Sequence, residues 1–346
     1  MLDAAIATSD VVGDVVGAAL AGLTSSPKTL PPFLFYDEAG VALFEAITRL
    51  PEYYLTRTEL GLLDKVAPEI SALAEPGSVL VEYGASDEGK AVRLIDASPS
   101  RFAAYMPIDV AGPAMAAMQA RLRLSHRALR VHPFCGDFLR PIALPASVAG
   151  LPRFGFFPGS TIGNLDKVGA RGFLAEAAAT LGPNAWLIVG ADLRKDSGVL
   201  VPAYDDAQGV TAAFNLNLLH RLNREAAADF DVSGFGHRAV WNGAEGRIEM
   251  HLESLRAQTV HIAGHSISFL PGETIHTENS YKHTVEGFRT LAASAGWEAA
   301  QVWTDPAEMF AIYALCSGGL GCAEGLGRAE GLGRAEGLGR AEGLGR

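Results

Sequence analysis

Three short motifs in the first half of the chain carry residues suited to binding a nucleotide. Gly84 follows the apolar segment 79–83, Asp109 follows the segment 103–108, and Asp137 comes at a similar interval after it. In an open parallel sheet the carboxyl ends of neighbouring strands meet at one edge, where a glycine admits a ligand and an acid binds ribose. Asp109 lies about 25 residues beyond the glycine, near the spacing of a Rossmann-like ribose-binding acid. The sequence therefore predicts a cofactor pocket, with Asp137 on its adenine side.

Each of these residues also has a structural interpretation. A small residue such as Gly84 is common after a buried strand, so the turn alone is weak support for a ligand. Asp109 is also placed to act as the N-cap of a helix predicted over residues 111–124. The capping role and the ribose-binding role are compatible, so both stay open at this point.

Further polar residues follow later strands. Gly159 and Asn164 lie in the loop after the fourth predicted strand, at the edge where open α/β sheets hold substrate. Two polar clusters, 201–206 and 276–282, are predicted to lie between regular elements. Such loops are either solvated or functional.

The hydrophobic pattern supplies the elements that must position these residues. Apolar residues at three- and four-residue spacing predict helices over 38–50 and 56–73. From residue 79 onward, predicted strands and helices alternate, which is typical of a doubly wound α/β core. The predicted strands are 79–83, 103–108, 129–133, 154–157 and 185–191, and the predicted helices are 90–97, 111–124 and 166–181.

The pattern changes after residue 193. A helix is predicted over 210–228 and antiparallel strands over 238–241, 247–255 and 259–262, which indicates a subdomain inserted in the parallel sheet. A helix over 284–295 and strands over 298–304 and 310–315 would complete the main sheet. The predicted units are an N-terminal helical segment (1–60), a cofactor-binding core (61–195), an inserted subdomain (196–283), a return to the core (284–317) and a tail (318–346).

The tail contains four successive copies of Ala-Glu-Gly-Leu-Gly-Arg over 323–346. Each copy has two glycines and too few apolar groups to offset the entropy of ordering, so the sequence predicts a disordered segment. No function is assigned to it.

Composition excludes several classes of partner. The chain has 346 residues and a formal net charge of −11, whereas nucleic-acid binding favours a basic surface. It has no basic leader and no apolar run of roughly 18 residues, so we expect no membrane partner and a cytoplasmic location. The cysteines form no CxxC pair, and the histidines lack HxH or HxxxH spacing beside acids, so no metal site is expected.

Nine segments carry a more specific signal, in order along the chain: 23–32, 35–37, 47–57, 159–164, 203–206, 215–225, 228–231, 247–250 and 277–282. They include Tyr36-Asp37, the Tyr53-Tyr54 pair, Gly-Ser-Thr-Ile-Gly-Asn ending at Asn164, and Thr-Glu-Asn-Ser-Tyr-Lys over 277–282. In these segments the chain resembles the histidine N-alpha-methyltransferases of ergothioneine biosynthesis. The resemblance extends from about residue 23 to residue 315.

The resemblance implies a class I S-adenosylmethionine methyltransferase fold with an inserted α+β substrate-binding subdomain. It implies three methyl transfers that convert L-histidine to hercynine, its trimethylated betaine, by an enzyme that acts as a monomer. With the strand-end motifs, it implies these cofactor-binding residues: Tyr36, Gly84, Ser86, Lys90, Asp109, Asp137 and Phe138.

The same resemblance implies a histidine pocket. Asn164 and Tyr204 would hold the carboxylate, and Tyr36 and the Gly159 region would lie near the amino group. The residues implied around the imidazole are Glu278 and Ser280 as its readers, Tyr53 or Tyr54 as support, and Met250 packed on the ring. Glu278 and Ser280 would select a ring with two nitrogens over a phenyl ring.

The predicted chemistry depends on placement. The sulfonium is already an activated methyl donor, so the protein must align a neutral amine with the S–CH3 bond, and no metal is required. Desolvation or an acceptor such as the Tyr36 hydroxyl would favour the neutral amine, which makes Tyr36 the candidate catalytic residue.

The cofactor turn departs from the family pattern Glu-x-Gly-x-Gly. Ser86 replaces the second glycine, and Asp87 and Glu88 follow where the methionine carboxylate of the cofactor would bind, so like charges would repel. An inactive homologue or amino-acid-binding protein is therefore an alternative, as is a methyltransferase for another amino acid. A nicotinamide dehydrogenase is disfavoured because the turn is not G-x-G-x-x-G.

Overall fold

The computed structural model describes residues 7–8 and 15–318. The strands are β1 (Ala7–Thr8), β2 (Lys28–Thr29), β3 (Ser78–Tyr83), β4 (Phe102–Asp109), β5 (Arg130–Val131), β6 (Phe134–Cys135), β7 (Arg153–Phe157), β8 (Trp186–Asp192), β9 (Phe235–Asn242), β10 (Arg247–Ser254), β11 (Gln258–Ile262), β12 (His265–Phe269), β13 (Thr274–Tyr281), β14 (Glu298–Thr304) and β15 (Phe310–Cys316). The repeats over 323–346, which the sequence predicts to be disordered, lie outside the described residues.

The helices are α1 (Val15–Leu23), α2 (Glu38–Ile47), α3 (Tyr54–Leu73), α4 (Gly89–Ala97), α5 (Gly112–Ser125), α6 (Lys167–Leu181), α7 (Ser197–Leu200), α8 (Val210–Glu225) and α9 (Val285–Ser294), with short 3-10 turns at Pro32–Phe35, Thr161–Asn164 and Val232–Gly234. The predicted helices and strands of the core all form, with ends that differ by a few residues.

The main sheet confirms the predicted doubly wound core. Its strand order is β1-β6-β4-β3-β7-β8-β15-β14, and β5 pairs with β4. Neighbours from β1 to β8 are parallel, whereas β15 lies antiparallel to both β8 and β14. The order reverses between β3 and β7, so the carboxyl edge there is the topological switch point at which open α/β sheets bind ligands.

Strand β3 shows why the sheet is covered on both faces. All six of its residues are buried, as in other parallel strands that carry helices on each side. Leu80 belongs to the core beneath α3, α4 and α5, whereas Val79 and Val81 belong to the core beneath α6 and α9. The central strand is thereby fixed in position, and the turn that follows it is held at the sheet edge.

A second sheet, β2-β13-β10-β9, is built mainly from the segment after β8. In β10, buried and half-buried residues alternate, and Ile248, Met250 and Leu252 share a core with Phe214 and Leu218 of α8. Strands β11 and β12 form a separate hairpin.

One sequence prediction about this region is wrong. Residues 276–282 were expected between regular elements, yet all but the last lie within β13, and β12 was not predicted. The segment is polar because its buried residues, Thr277, Ser280, Tyr281 and Lys282, themselves carry polar groups. Composition therefore concealed a strand that its pairing with β10 makes plain.

Glu82, in the middle of β3, gives a testable property of the core. It is 2% exposed and accepts a hydrogen bond from the Tyr105 hydroxyl. Burial, partly opposed by that hydrogen bond, raises the pKa of Glu82 to about 8. Because the folded-state pKa lies above the unfolded value, this carboxyl destabilises the fold progressively as pH rises from about 4.5 to 8.

We expect Glu82→Gln to be less sensitive to pH than the parent protein. The melting temperature of the variant, relative to the parent, should rise between pH 5 and pH 8, because glutamine stays neutral and still accepts from Tyr105. Thermal unfolding of both proteins over this range measures the effect, with the exposed Glu75→Gln as control. Parallel pH profiles for Glu82→Gln and the parent would contradict it.

Candidate active site

The strand-end motifs meet at the carboxyl edge, as the sheet order requires. Gly84 follows β3, Asp109 ends β4 and Asp137 follows β6, and these three strands are adjacent. Gly84 has φ of 71°, a conformation that favours glycine, and its carbonyl accepts from the Ser86 N–H at 3.1 Å. The tight turn leaves the backbone at the sheet edge open to close approach.

Asp109 is suited to bind a hydroxyl pair. Its Oδ1 accepts from the Ala111 N–H at 2.9 Å, and burial raises the pKa of its carboxyl above the usual value. The interpretation of Asp109 as the helix N-cap is wrong, because Ala111 occupies the cap position of α5. No side chain of the described residues bonds to Oδ2, so this oxygen is free to accept from a ribose.

The neighbouring Asp137 and Phe138 lie beyond β6. Asp137 Oδ1 accepts from the Leu139 N–H at 2.8 Å, which fixes the turn. The Phe138 ring packs edge-on against Phe157 and Phe173, with ring centroids 5.4 and 5.9 Å away. The same ring comes within 3.6 Å of the position that a Cβ on Gly84 would take, so Phe138 borders the cofactor turn.

Of the two acids in the altered turn, Glu88 is paired with a cation and Asp87 is bound by the backbone. Asp87 Oδ1 accepts from the Gly89 N–H at 2.6 Å, and both carboxylate oxygens of Glu88 accept from Arg121 at 2.6 Å. The hydrogen bonds from Arg121 lower the pKa of Glu88, which therefore stays ionised inside this pair. The expected repulsion of a cofactor carboxylate by Glu88 is thus reduced, and the Asp87 carboxylate is turned toward the start of α4.

Lys90 is held by a residue that the sequence analysis missed. Its Nζ lies 2.6 Å from Glu59, a side chain of α3 that is 1% exposed. Both Glu59 oxygens also accept from the Gly159 N–H, at 2.8 and 3.0 Å. Glu59 therefore joins the start of α4 to the loop after β7. A signal was available, because Glu59 falls on the same helix face as the buried Leu62, Leu63 and Val66.

On the substrate side, a β-bulge decides which side chains enter the pocket. Met250 pairs with Glu278, but the next residue, His251, pairs with His276, so Thr277 is extra. Thr277 is anchored by its hydroxyl, which donates to the Met250 carbonyl at 3.0 Å. The bulge allows Glu278 to share a face with Met250, although His276, two residues earlier, shares a face with His251.

Behind this face lies a buried cation that was not predicted as a site residue. Lys282 and Asp192 both have side chains that are 0% exposed, and they are paired at 2.8 Å. Lys282 Nζ also donates to the Tyr204 hydroxyl at 2.7 Å and to Ser280 Oγ at 2.8 Å. Burial lowers the pKa of Lys282, and the Asp192 carboxylate opposes this shift.

The hydrogen count of this group is informative. All three Lys282 donors are used, so the Tyr204 and Ser280 oxygens both act as acceptors toward it. These two hydroxyls are 2.7 Å apart, and one donates to the other. A single hydroxyl hydrogen is therefore left for a ligand.

A row of aromatic rings connects Tyr36 with Tyr204. The ring centroid of Phe44 lies 6.1 Å from that of Tyr36 and 6.3 Å from that of Tyr53. The ring centroids of Tyr53 and Tyr204 are 6.1 Å apart. Burial, reinforced by Glu278 and other nearby groups, raises the pKa of Tyr36 well above its usual value. Tyr36 is thus a neutral hydroxyl, and tyrosinate as a base is disfavoured.

Tyr54 lies apart from Tyr53. Its hydroxyl donates to Asp192 Oδ2 at 2.6 Å and accepts from Lys195 at 2.8 Å, so it supports the buried charge cluster. Of the adjacent tyrosines, Tyr53 is the one whose ring contacts Phe44 and Tyr204.

Asn164 and Glu278 contact each other. Asn164 Nδ2 donates to Glu278 Oε1 at 3.1 Å, and burial raises the pKa of Glu278 to about 7. The loop approaches β13 so closely that a Cβ on Gly163 would lie 2.8 Å from the Tyr281 carbonyl, which explains the glycine there. The structure therefore brings together Tyr36, Tyr53, Asn164, Tyr204, Met250, Glu278 and Ser280 from elements far apart in sequence.

Comparison with known proteins agrees with this geometry. Residues 15–317 match the family described as histidine-specific methyltransferase, SAM-dependent. The chain belongs to this family. It is 43% identical over 296 residues to histidine N-alpha-methyltransferase of Mycolicibacterium smegmatis, covering 84% of this chain and 91% of the relative. It is 38% identical over 299 residues to the protein of the same name from Mycobacterium tuberculosis, covering 84% and 91%.

A more distant relative is named for a different substrate. The 4-dimethylallyltryptophan N-methyltransferase of Claviceps purpurea is 27% identical over 319 residues, covering 85% of this chain and 92% of that one. The family assignment confirms S-adenosylmethionine as the methyl donor and the predicted class I methyltransferase fold, with the small sheets as additions to it. Among the helices of the described ranges, none has the length and apolar character that a membrane crossing requires.

The Arg121–Glu88 pair gives a prediction about the methyltransferase's altered turn. In Arg121→Gln, Glu88 loses its partner beside the cofactor site, so the dissociation constant for S-adenosylmethionine should rise about two- to fivefold, as befits an exposed ion pair. Calorimetric titration at low and high salt measures the effect, which should shrink with salt. Arg123→Gln removes the same charge from α5 and is the control. Equal effects of the two variants would contradict a role for the pair.

Proposed function

We propose that the protein transfers methyl groups from S-adenosylmethionine to the α-amino nitrogen of L-histidine and forms hercynine, the trimethylated product used for ergothioneine. The observation that carries this proposal is the buried Lys282 ammonium, which donates to Tyr204 and Ser280 beside the Glu278 carboxyl. We further propose that segment 196–283, with β2, forms the substrate half of the site, and that the enzyme acts as a monomer.

The charge around Lys282 supports binding of an amino-acid carboxylate. Lys282 and Lys195 both pair with the single carboxylate of Asp192, at 2.8 and 2.6 Å, so this group carries one excess positive charge. In a buried setting an unbalanced charge attracts a counter-ion strongly. Tyr204 would transmit this charge to the substrate by donating its hydroxyl hydrogen, with Asn164 as the second donor.

Glu278 supports recognition of the imidazole. A carboxylate oxygen can accept a ring N–H, and Ser280 lies two residues along the same strand. Met250 is 2% exposed and pairs with Glu278 across the strands, which gives the ring an apolar surface beside the polar one. An indole has one ring nitrogen and would leave a buried polar group unpaired, so these contacts favour histidine.

The chain's own residues would control the state of the amine. Bound S-adenosylmethionine would supply an activated methyl group. Gly84 and Ser86 would form the turn against it, Asp109 would bind its ribose, and Asp137 and Phe138 would lie near its adenine. Burial beside Tyr36 disfavours an ammonium, and the neutral Tyr36 hydroxyl would accept a hydrogen bond and orient the nitrogen lone pair. After each of the first two transfers the new ammonium would release one proton to solvent before the next, and the rings of Tyr36, Phe44 and Tyr53 would favour the permanent cation of the trimethylated product.

Mass spectrometry of the products tests the function against its alternatives. Purified protein is incubated with S-adenosylmethionine and histidine, or with tyrosine or tryptophan. Mono-, di- and trimethylhistidine with matching S-adenosylhomocysteine are the expected products. Methylation of another amino acid would overturn the substrate assignment, whereas histidine binding without any turnover would identify an inactive homologue.

Lys282→Met tests the carboxylate site. The KM for histidine should rise about 10- to 100-fold, as expected for lost hydrogen bonds to a charged group, while affinity for S-adenosylmethionine changes little. Steady-state kinetics with each substrate varied in turn separates these effects.

Lys195→Met is the matched control. Lys195 pairs with the same Asp192 but donates to Tyr54 and the Leu193 carbonyl and not to the pocket hydroxyls. Its KM effect should be smaller than that of Lys282→Met. If both variants raise the KM equally, the role of Lys282 is general support of the fold.

A further inference from the structure

Three potential metal ligands meet on the face of the small sheet opposite to Met250. Glu249 and His251 are two residues apart in β10, and His276 is the direct partner of His251 in β13. One coordinating atom from each of the three side chains lies within 4.8 Å of the other two. Residues at i and i+2 share a strand face, and a directly paired residue on the next strand lies on that same face.

The Glu249 carboxylate is oriented with one oxygen turned toward the histidines. Its Oε1 accepts from Asn242 at 2.9 Å and from Arg247 Nε at 2.8 Å. Its Oε2 faces His251 Nε2 at 3.3 Å. One oxygen is thus anchored by other side chains, and the second faces the imidazoles through a hydrogen bond with His251 Nε2 that an ion between these two atoms would replace.

The ring contacts of the two histidines also suit metal binding. His276 Nε2 lies 3.0 Å from the Glu278 carbonyl, which can only accept, so Nε2 carries the hydrogen and Nδ1 keeps a free lone pair. A metal-binding histidine commonly donates its other ring N–H to a carbonyl in this way. His251 Nδ1 is buried without a hydrogen-bond partner in the described part of the chain. Its ring stacks on His276 with centroids 4.8 Å apart.

We propose that Glu249, His251 and His276 form a binding site for a divalent transition-metal ion, with Zn²⁺ as the best match to two imidazoles and one carboxylate. Two nitrogen donors and one oxygen donor suit zinc, and a water molecule would fill the fourth position of a tetrahedron. The present separations, up to 4.8 Å, require the ligands to close by up to about 1.5 Å, since tetrahedral Zn²⁺ with bonds near 2 Å holds its ligand atoms about 3.3 Å apart.

An ion at this position would have a specific structural effect. It would tie β10 to β13 next to the bulge at Thr277, and His276 would link it to the backbone of Glu278. The ion would stay on the outer face, away from the methyl transfer, so the proposal is independent of the proposed function. Sequence spacing predicted no metal, because the third ligand is supplied by strand pairing and not by a local motif.

Zinc binding to the full-length, tag-free protein tests the proposal. After removal of metals with a chelator, titration with ZnCl₂ should show one tight equivalent, and Co²⁺ should give the visible absorption of a tetrahedral site. His276→Gln and Glu249→Gln should each weaken Zn²⁺ binding at least about tenfold, since each removes one of three protein ligands. Zn²⁺ should also raise the melting temperature of the parent protein.

His261→Gln is the matched control, because His261 is an exposed histidine paired with Asp229 on the β11–β12 hairpin. It should bind Zn²⁺ like the parent. No tight equivalent in the parent, or equal weakening by the control, would overturn the proposal. Should one ligand variant fail to fold, the other and the parent's Co²⁺ spectrum still decide the outcome.

Discussion

The buried ion pair between Asp192 and Lys282 joins the two sheets on which the site depends. Asp192 ends β8 of the main sheet, and Lys282 follows β13 of the small sheet. Such a pair stabilises a fold only when the hydrogen bonds to both ions are complete, because desolvation is costly. Here Lys282 uses all three donors, and Asp192 also accepts from Tyr54 and Lys195.

Backbone hydrogen bonds connect the same two strand ends. The His283 N–H donates to the Asp192 carbonyl at 3.0 Å, and the Arg194 N–H donates to the His283 carbonyl at 2.9 Å. The loop after β7 is locked to it as well, since Ser160 Oγ accepts from the Asp192 N–H at 3.0 Å. The carboxyl edge of the main sheet and the side chains around Lys282 are therefore parts of one hydrogen-bonded framework, and such rigid placement suits a methyl transfer, whose reacting atoms must be aligned.

The sequence predicted the core well because parallel strands buried on both faces have long apolar runs, as in β3. The grouping of Tyr36 with Glu278 came from the resemblance alone, since no local pattern connects them. The sequence-based predictions missed the features that depend on which strands pair. The bulge at Thr277 has no mark in composition, and Lys282 reads as a surface lysine until its partner on a distant strand is known. Glu59 was detectable as an acid on an apolar helix face.

The partners of Asp87 and Glu88 in the cofactor turn affect how relatives of this protein are recognised from sequence. Glu88 is paired with Arg121, which lies 33 residues away on another helix, and Asp87 is turned onto the start of its own helix. A motif search that demands a second glycine and small polar residues would reject this chain, although Arg121 balances the charge of Glu88 and the backbone of α4 binds Asp87. Substitutions in such a loop are therefore best judged together with the residue that faces them.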